Sequence, residues 1–312
     1  MLARRLISAA IIISVMILLL WLDFWLGTDA VLGRPGLVLC LIGIIAATMA
    51  ASELSAMFNH VANHVNQNAV VGATFAMTCV AFAPTLWRDY PVDCPLGKFG
   101  WSLSGIILAM VVIFFLEMKN FDSAAATAKG QVIDRLGRYA LVFVYLSMLF
   151  GFLVPHRLLQ NSNGLGVIAV VGLIATVKMS DSFAYFIGKR FGTIKLAPKL
   201  SPGKTIQGSL AAPVGGIVAM AIVVYLVAPL IFGITIAKPW WWFLVYGIVV
   251  TGAGMVGDLA ESLIKRDADT KDSSRWLPGL GGVLDILDSM IFAAPVSYFL
   301  WVVADLPAQT GN

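Results

Sequence analysis

Apolar residues in this chain come in long unbroken runs rather than in the narrow stripe of a water-facing helix. Nine runs stand out, near residues 6–26, 36–52, 69–87, 101–118, 139–154, 164–187, 209–233, 240–260 and 283–303. A helix crosses a hydrocarbon core of roughly 30 Å with about 20 apolar residues. The pattern therefore predicts an all-α fold, a polytopic integral membrane protein with about nine transmembrane helices. The first run follows Arg4 and Arg5; it is longer than the apolar region of a signal peptide and no small-x-small cleavage site follows, so it reads as a retained helix. Pro239-Trp240-Trp241-Trp242 opens the eighth run, with proline in a first helical turn and indoles at headgroup depth, as an interfacial anchor.

Composition agrees: 59% hydrophobic and 12% charged residues exclude an ordinary water-soluble domain. With the N-terminus inside, fifteen of the 21 basic residues fall on inner segments. Arg34, Arg88, Lys98, Arg157 and Lys238 fall on outer ones, and Lys178 lies inside the sixth run. That bias places both large charged loops in the cytoplasm and the protein in the cell (inner) membrane. A net charge of +4 suits anionic head groups or nucleotides and calls for no nucleic acid. Cys40, Cys79 and Cys94 have no metal-ligand spacing and imply no disulfide framework. No repeat or soluble domain interrupts the chain. It divides informally into scaffold helices, 1–160, and a C-terminal region, 161–312, that holds nearly all the candidate chemistry.

The charge is concentrated. Gly257–Ser289 carries eleven of the chain's charged side chains in 33 residues. Asp258, Glu261, Ser262 and Lys265 are spaced i, i+3, i+4 and i+7 and share one helix face. Gly252, Gly254 and Gly257 precede them and permit close approach by another helix. Asp285 and Asp288 form a second acidic face after Gly281-Gly282. Two carboxylate faces at one depth would share a hard cation, and Mg²⁺ commonly joins one or two carboxylates to substrate phosphates. The competing reading is a solvated loop in which these acids pair with Lys265, Arg266, Lys271 and Arg275.

A second segment, Lys178–Gly208, sets Asp181 inside an apolar run, where it either neutralises Lys178 or joins a site. Five basic residues follow: Lys189, Arg190, Lys195, Lys199 and Lys204. Ser201-Pro202-Gly203-Lys204-Thr205 is no P-loop, because Pro198 stands where that motif needs glycine and no parallel sheet is present. It reads either as a Gly-rich, Lys-bearing loop that cradles phosphates or as an ordinary positive-inside loop. His60 and His64, with Glu53 upstream, fit a solvated polar face better than a zinc site.

These residues resemble the signature of the phosphatidate cytidylyltransferases, or CDP-diacylglycerol synthases. Ser262, Lys265, Arg266, Lys271, Asp272, Pro278, Gly281, Gly282, Asp285 and Asp288 match it in order and spacing. Asp181, Ala184, Tyr185, Gly188, Phe191, Gly192, Ser201, Pro202, Lys204, Thr205 and Gly208 look like the family's second block. The chain departs at Leu280, Ile286 and Gln207, where the family has histidine, arginine and glutamate. The resemblance implies a metal-dependent nucleotidyltransferase that makes CDP-diacylglycerol and pyrophosphate from CTP and phosphatidic acid. It implies Asp258, Asp285, Asp288 and Lys265 as catalytic residues, with the three aspartates holding Mg²⁺ and Asp288 supporting that ion or binding a second cation. Asp181, Ser201, Lys204, Thr205, Ser262, Arg266, Lys271 and Asp272 would bind substrate, and a homodimer is implied. Two alternatives stand beside this reading. One is a CTP-dependent enzyme acting on another lipid phosphate. The other is an ion-coupled secondary transporter, which calls for inverted repeats and acids near the bilayer midplane; here the acids fall near the ends of apolar runs.

Overall fold

A computed structural model describes residues 2–28, 33–61, 65–87, 89–91, 93–121, 130–274, 276 and 281–304, with side chains omitted for 2–14, 161 and 304. Each apolar run forms a helix. In chain order these are α1 (Leu2–Thr28), α2 (Leu37–Val61), α3 (Gln67–Phe82), α4 (Gly97–Lys119), α5 (Gln131–Arg157), α6 (Asn163–Phe191), α7 (Ile206–Ile222), α8 (Ala228–Phe232), α9 (Trp240–Asp267) and α10 (Val283–Ala304). A π-helical turn, Val223–Val227, joins α7 to α8 so that together they serve one run. Among the described residues eight helices are long and apolar enough to cross a membrane. In α1 the described side chains begin at Val15, which leaves only Val15–Thr28 for that measure. The protein is thus a multi-pass, all-α membrane protein, and its only described strands are a short hairpin between α6 and α7.

Because lipid is as apolar as leucine, such helices associate through close packing of small side chains. Ala47, Ala50 and Ala51 of α2 are fully buried. The most extensive helix pairs are α6 with α7 and α9 with α10, while α5, the most enclosed span, also contacts α6 and α10. Side chains cap the starts: Asn66 Oδ1 accepts from Ala69 N (3.1 Å) at α3, and Ser162 Oγ from Leu165 N (3.3 Å) at α6, each satisfying a first-turn amide.

The end of the bundle that gathers the last residues of α1 and α5 and the start of α6 is locked by a buried polar knot. Arg157, fully buried, donates from Nε to Asp23 Oδ2 at 2.5 Å. Asp23 Oδ1 accepts from Val38 N (2.9 Å) and Leu39 N (3.2 Å) at the start of α2. Arg157 also donates to the carbonyl (3.0 Å) and side-chain oxygen of Asn163, whose Nδ2 returns to Phe24 O at 3.0 Å. Arg157, which the charge pattern assigns to an outer segment, is buried there as an internal fastener.

Candidate active site

The opposite end of the bundle, where α6 and α9 finish and α10 begins, brings the charged segments together. The hairpin pairs β1 (Lys195–Ala197) with β2 (Ser201–Thr205) in antiparallel register, Lys195 facing Thr205 and Ala197 facing Ser201. This arm contacts α6 and α7, and at its base those two helices approach closely, since a Cβ at Gly208 would stand 2.5 Å from the Ala184 carbonyl oxygen. Thr205, buried, caps α7 by accepting from Gly208 N at 3.2 Å, which leaves its hydroxyl proton and one lone pair uncommitted. Gln207 Oε1 accepts from Thr193 N (3.2 Å) and Ile194 N (3.3 Å), and its Nε2 donates to Thr193 Oγ1 at 2.6 Å. This departure from the signature thus closes the loop entering the arm. The arm delivers Lys204, whose Nζ lies 2.6 Å from Asp258 Oδ2.

On α9 the anticipated stripe forms. Ser262 Oγ donates to Asp258 Oδ1 at 3.4 Å, and Lys265 makes an ion pair with Glu261 and a 2.8 Å hydrogen bond to Asp285 Oδ1. Glu261 is fully buried, and although it touches the Lys265 ammonium, neither of its oxygens receives a well-directed hydrogen bond among the described residues. Arg266 turns away and ties α9 to the arm, donating from Nε to Leu200 O at 3.2 Å. Lys271 and Asp272 are exposed beyond the end of α9.

α10 meets α9 almost backbone to backbone, since a Cβ at Gly257 would stand 2.5 Å from the Asp288 carbonyl oxygen. That contact sets Asp258 and Asp288 as electrostatic neighbours, with Asp181 of α6 and Lys204 in the same field. Asp288 Oδ1 accepts from Ser289 N (2.5 Å) and Ser289 Oγ (3.0 Å), and no described donor reaches Oδ2. Lys178 Nζ, facing Asp181 and Asp288, donates to the Ile286 carbonyl at 2.8 Å. α9 runs on to Asp267 and α6 to Phe191, so Asp258 and Asp181 lie well inside their helices rather than at the ends that the run boundaries suggest.

Asp285 is used differently from its neighbour. Its Oδ2 accepts from Gly282 N (2.7 Å), Ser273 N (3.0 Å) and Ser273 Oγ (2.8 Å), while Oδ1 takes Lys265. The Gly282 contact is the returning half of a capping box at the start of α10. Pro278 and Leu280 of the signature, and His64, lie outside the described residues. Among the described residues no three His, Cys, Asp or Glu side chains are gathered as a metal-binding group. Asp258, Asp288 and Asp181 lie within electrostatic reach of one another, while both oxygens of Asp285 are taken up by donors.

Sequence reasoning missed one member of this region. Glu53 of α2, buried, accepts from Ser273 Oγ (2.9 Å), Ser274 Oγ (2.7 Å), Val283 N (2.9 Å) and Leu284 N (2.8 Å). The available signal was that Glu53 is the one acidic residue of α2, and an acid in a membrane helix is costly unless it has partners. Chemically, the end of the bundle offers ammonium groups resting on carboxylates. Such pairs can exchange: lysines to incoming phosphates, acids to a cation.

A profile of the Cytidylyltransferase family matches residues 3–304 of the chain. A phosphatidate cytidylyltransferase of Chlamydia muridarum is 38% identical over 160 residues, covering 51% of this chain and 50% of that protein. One from Bacillus subtilis is 36% identical over 167 residues, 54% of this chain and 58% of its own length. One from Brucella abortus is 36% identical over 214 residues, 66% and 73% respectively. The chain spans about half the length of the Chlamydia and Bacillus relatives it matches.

Proposed function

The chain belongs to the cytidylyltransferase family, and on that premise we propose that it transfers the cytidylyl group of CTP to phosphatidic acid, forming CDP-diacylglycerol and pyrophosphate. The observation that carries the reading is the pairing of Lys204 with Asp258 at 2.6 Å and of Lys265 with Asp285 at 2.8 Å beside the uncapped Asp288. Here cations that bind polyphosphate and acids that bind a hard metal are held in one cluster, sunk in a membrane helix bundle. One substrate is a lipid confined to the bilayer and the other a soluble polyanion, and a polar cluster in the half of the bundle nearer one membrane face would be reachable by both.

In the proposed reaction a phosphate oxygen of the lipid attacks the α-phosphorus of CTP in line. The bond from α-phosphorus to the β-bridging oxygen breaks, and pyrophosphate leaves with that electron pair. No protein nucleophile is required, so positioning and charge neutralisation carry the acceleration. Lys204, Lys265, Arg266 and Lys271 bind the triphosphate, with hydroxyl donors from Ser201, Thr205 and Ser262, while Asp181 and Asp272 flank the substrates. Asp258 and Asp288 fit Mg²⁺ by their hard oxygen donors and by the unshared Asp288 Oδ2; bound there, the ion would neutralise charge developing on phosphoryl oxygens. Asp285, its oxygens filled by donors, fits the role of fixing Lys265 and the loop. The reading further places this end of the bundle on the cytoplasmic side of the inner membrane, supported by the inward bias of basic residues, and has two copies associate as the family resemblance implies.

The test uses purified protein in mixed micelles with labelled CTP, phosphatidic acid and Mg²⁺. Labelled CDP-lipid is expected, lost with a chelator and restored by Mg²⁺. Competing lipid phosphates in the same assay identify the acceptor. Activity undiminished by exhaustive chelation would overturn the metal assignment, and no nucleotide transfer to any lipid phosphate would overturn the reaction.

A further inference from the structure

The geometry points to Glu53 as a positioning residue that holds residues 271–274 and the start of α10 in the arrangement needed to grip the nucleotide, an inference that rests on the reading of the site as a nucleotidyltransferase centre. Glu53 lies in the second helix, far from the signature in sequence, yet its carboxylate receives four hydrogen bonds of 2.7–2.9 Å. Two come from the hydroxyls of Ser273 and Ser274, directly after Lys271 and Asp272. Two come from the amides of Val283 and Leu284, the first residues of α10, directly before Asp285 and Asp288. A helix start exposes unpaired amides and the positive end of its dipole, so an anion there is held strongly. Here the anion is the protein's own side chain, and the space is filled: a Cβ at Gly282 would come within 2.4 Å of Glu53 Oε2.

Ser273 links this clamp to the site. Its Oγ lies 2.9 Å from Glu53 Oε2 and 2.8 Å from Asp285 Oδ2, and its amide also donates to Asp285. Asp285 in turn fixes Lys265. Glu53 therefore acts through others: it orients the Ser273–Asp285–Lys265 chain and sets where Lys271 emerges, without touching the reacting atoms. A structural anchor alone would affect both substrates alike. A clamp on this segment acts on the triphosphate.

Glu53→Ala leaves a cavity of carboxylate size lined by four donors. The expected result is a kcat/KM for CTP lowered by about 100-fold, the scale at which small misplacement costs rate, with KM for the lipid unchanged and activity regained when formate is added to fill the cavity. Trypsin cleavage after Lys271 reads the same segment with no substrate present: faster in Glu53→Ala than in wild type, and slowed again by formate. The double variant Ser273→Ala/Ser274→Ala removes two donors and keeps the carboxylate, and is expected to lower kcat/KM for CTP in the same direction by about tenfold. It decides the matter if Glu53→Ala does not fold. A folded Glu53→Ala protein with wild-type kinetics, or one damaged equally toward both substrates and indifferent to formate, overturns the inference. If wild type makes no CDP-lipid, the reaction is wrong, and the trypsin comparison still decides whether Glu53 clamps the segment.

Discussion

The two ends of this bundle both bury charge, and they do so in opposite ways. At one end Arg157 and Asp23 are almost wholly enclosed, and both oxygens of Asp23 and all three guanidinium nitrogens of Arg157 find partners among Val38, Leu39, Asn163 and each other. At the other end Asp181, Asp258, Glu261, Asp285 and Asp288 share three ammonium groups, those of Lys178, Lys204 and Lys265, and the oxygens of Glu261 and one of Asp288 lack directed donors among the described residues. Burying a charge costs several kcal/mol unless its partners are good. A closed set of partners makes a fastener. An open set stores a demand for something that arrives from outside, and that difference separates architecture from site more sharply than burial alone.

The largest effect that would break the contrast is expected at Asp258. Asp258→Asn should lower CDP-lipid formation by about 1000-fold, as for loss of a group that stabilises the charged transition state, with the thermal midpoint in detergent unchanged; wild-type turnover would remove Asp258 from the site. At the closed end the opposite pattern is expected. Arg157→Leu should destabilise the fold by about 3–5 kcal/mol by leaving Asp23 buried and unpaired, while the double variant Asp23→Leu/Arg157→Leu recovers much of that loss and retains wild-type kcat. A double variant as unstable as the single one would show that the knot is more than a matched pair. Lys178→Met sharpens the comparison, because Lys178 is well bonded yet sits in the open cluster. Turnover is expected to fall by about tenfold, the range for residues that orient a metal's ligands, with partial return in Lys178→Arg. Unchanged turnover would assign Lys178 to the architecture. The smallest effect is expected from Gln207→Glu, which keeps the acceptor for the Thr193 and Ile194 amides on an exposed loop. Stability should stay within about 0.5 kcal/mol, and a larger change in a melting curve would give the amide donor to Thr193 a role of its own.

What could be read from the sequence follows from the reach of each interaction. The helices were legible because lipid imposes one requirement on every residue of a span, and all nine runs became helical. The stripe from Asp258 to Lys265 was legible because its geometry is internal to one helix. Glu53 was not, because its partners Ser273 and Leu284 stand 220 and more residues away. For the same reason the charge count alone does not reveal the buried pairing of Arg157, its partner Asp23 being 134 residues distant. Asp285 and Asp258 look equivalent as acids that follow glycines, but one sits in a first helical turn with amides to satisfy and the other well inside its helix. Type and spacing do not distinguish those circumstances; position relative to a helix start does.

The contact at Gly257 has a bearing on how the proposed ion would be held. Because nothing but two main chains separates α9 from α10 at that level, the backbones that carry Asp258 and Asp288 are held at a close spacing, and only their side-chain torsions remain to adjust the distance between the carboxylates. A methyl group on residue 257 would stand 2.5 Å from the Asp288 carbonyl oxygen and would force those backbones apart. Mg²⁺ and Ca²⁺ differ in metal–oxygen distance by only about 0.3–0.5 Å. On the proposed reading of Asp258 and Asp288 as metal ligands, Gly257→Ala is expected to change which of the two ions supports activity, and an unaltered preference in the assay would show that side-chain rotation absorbs the shift.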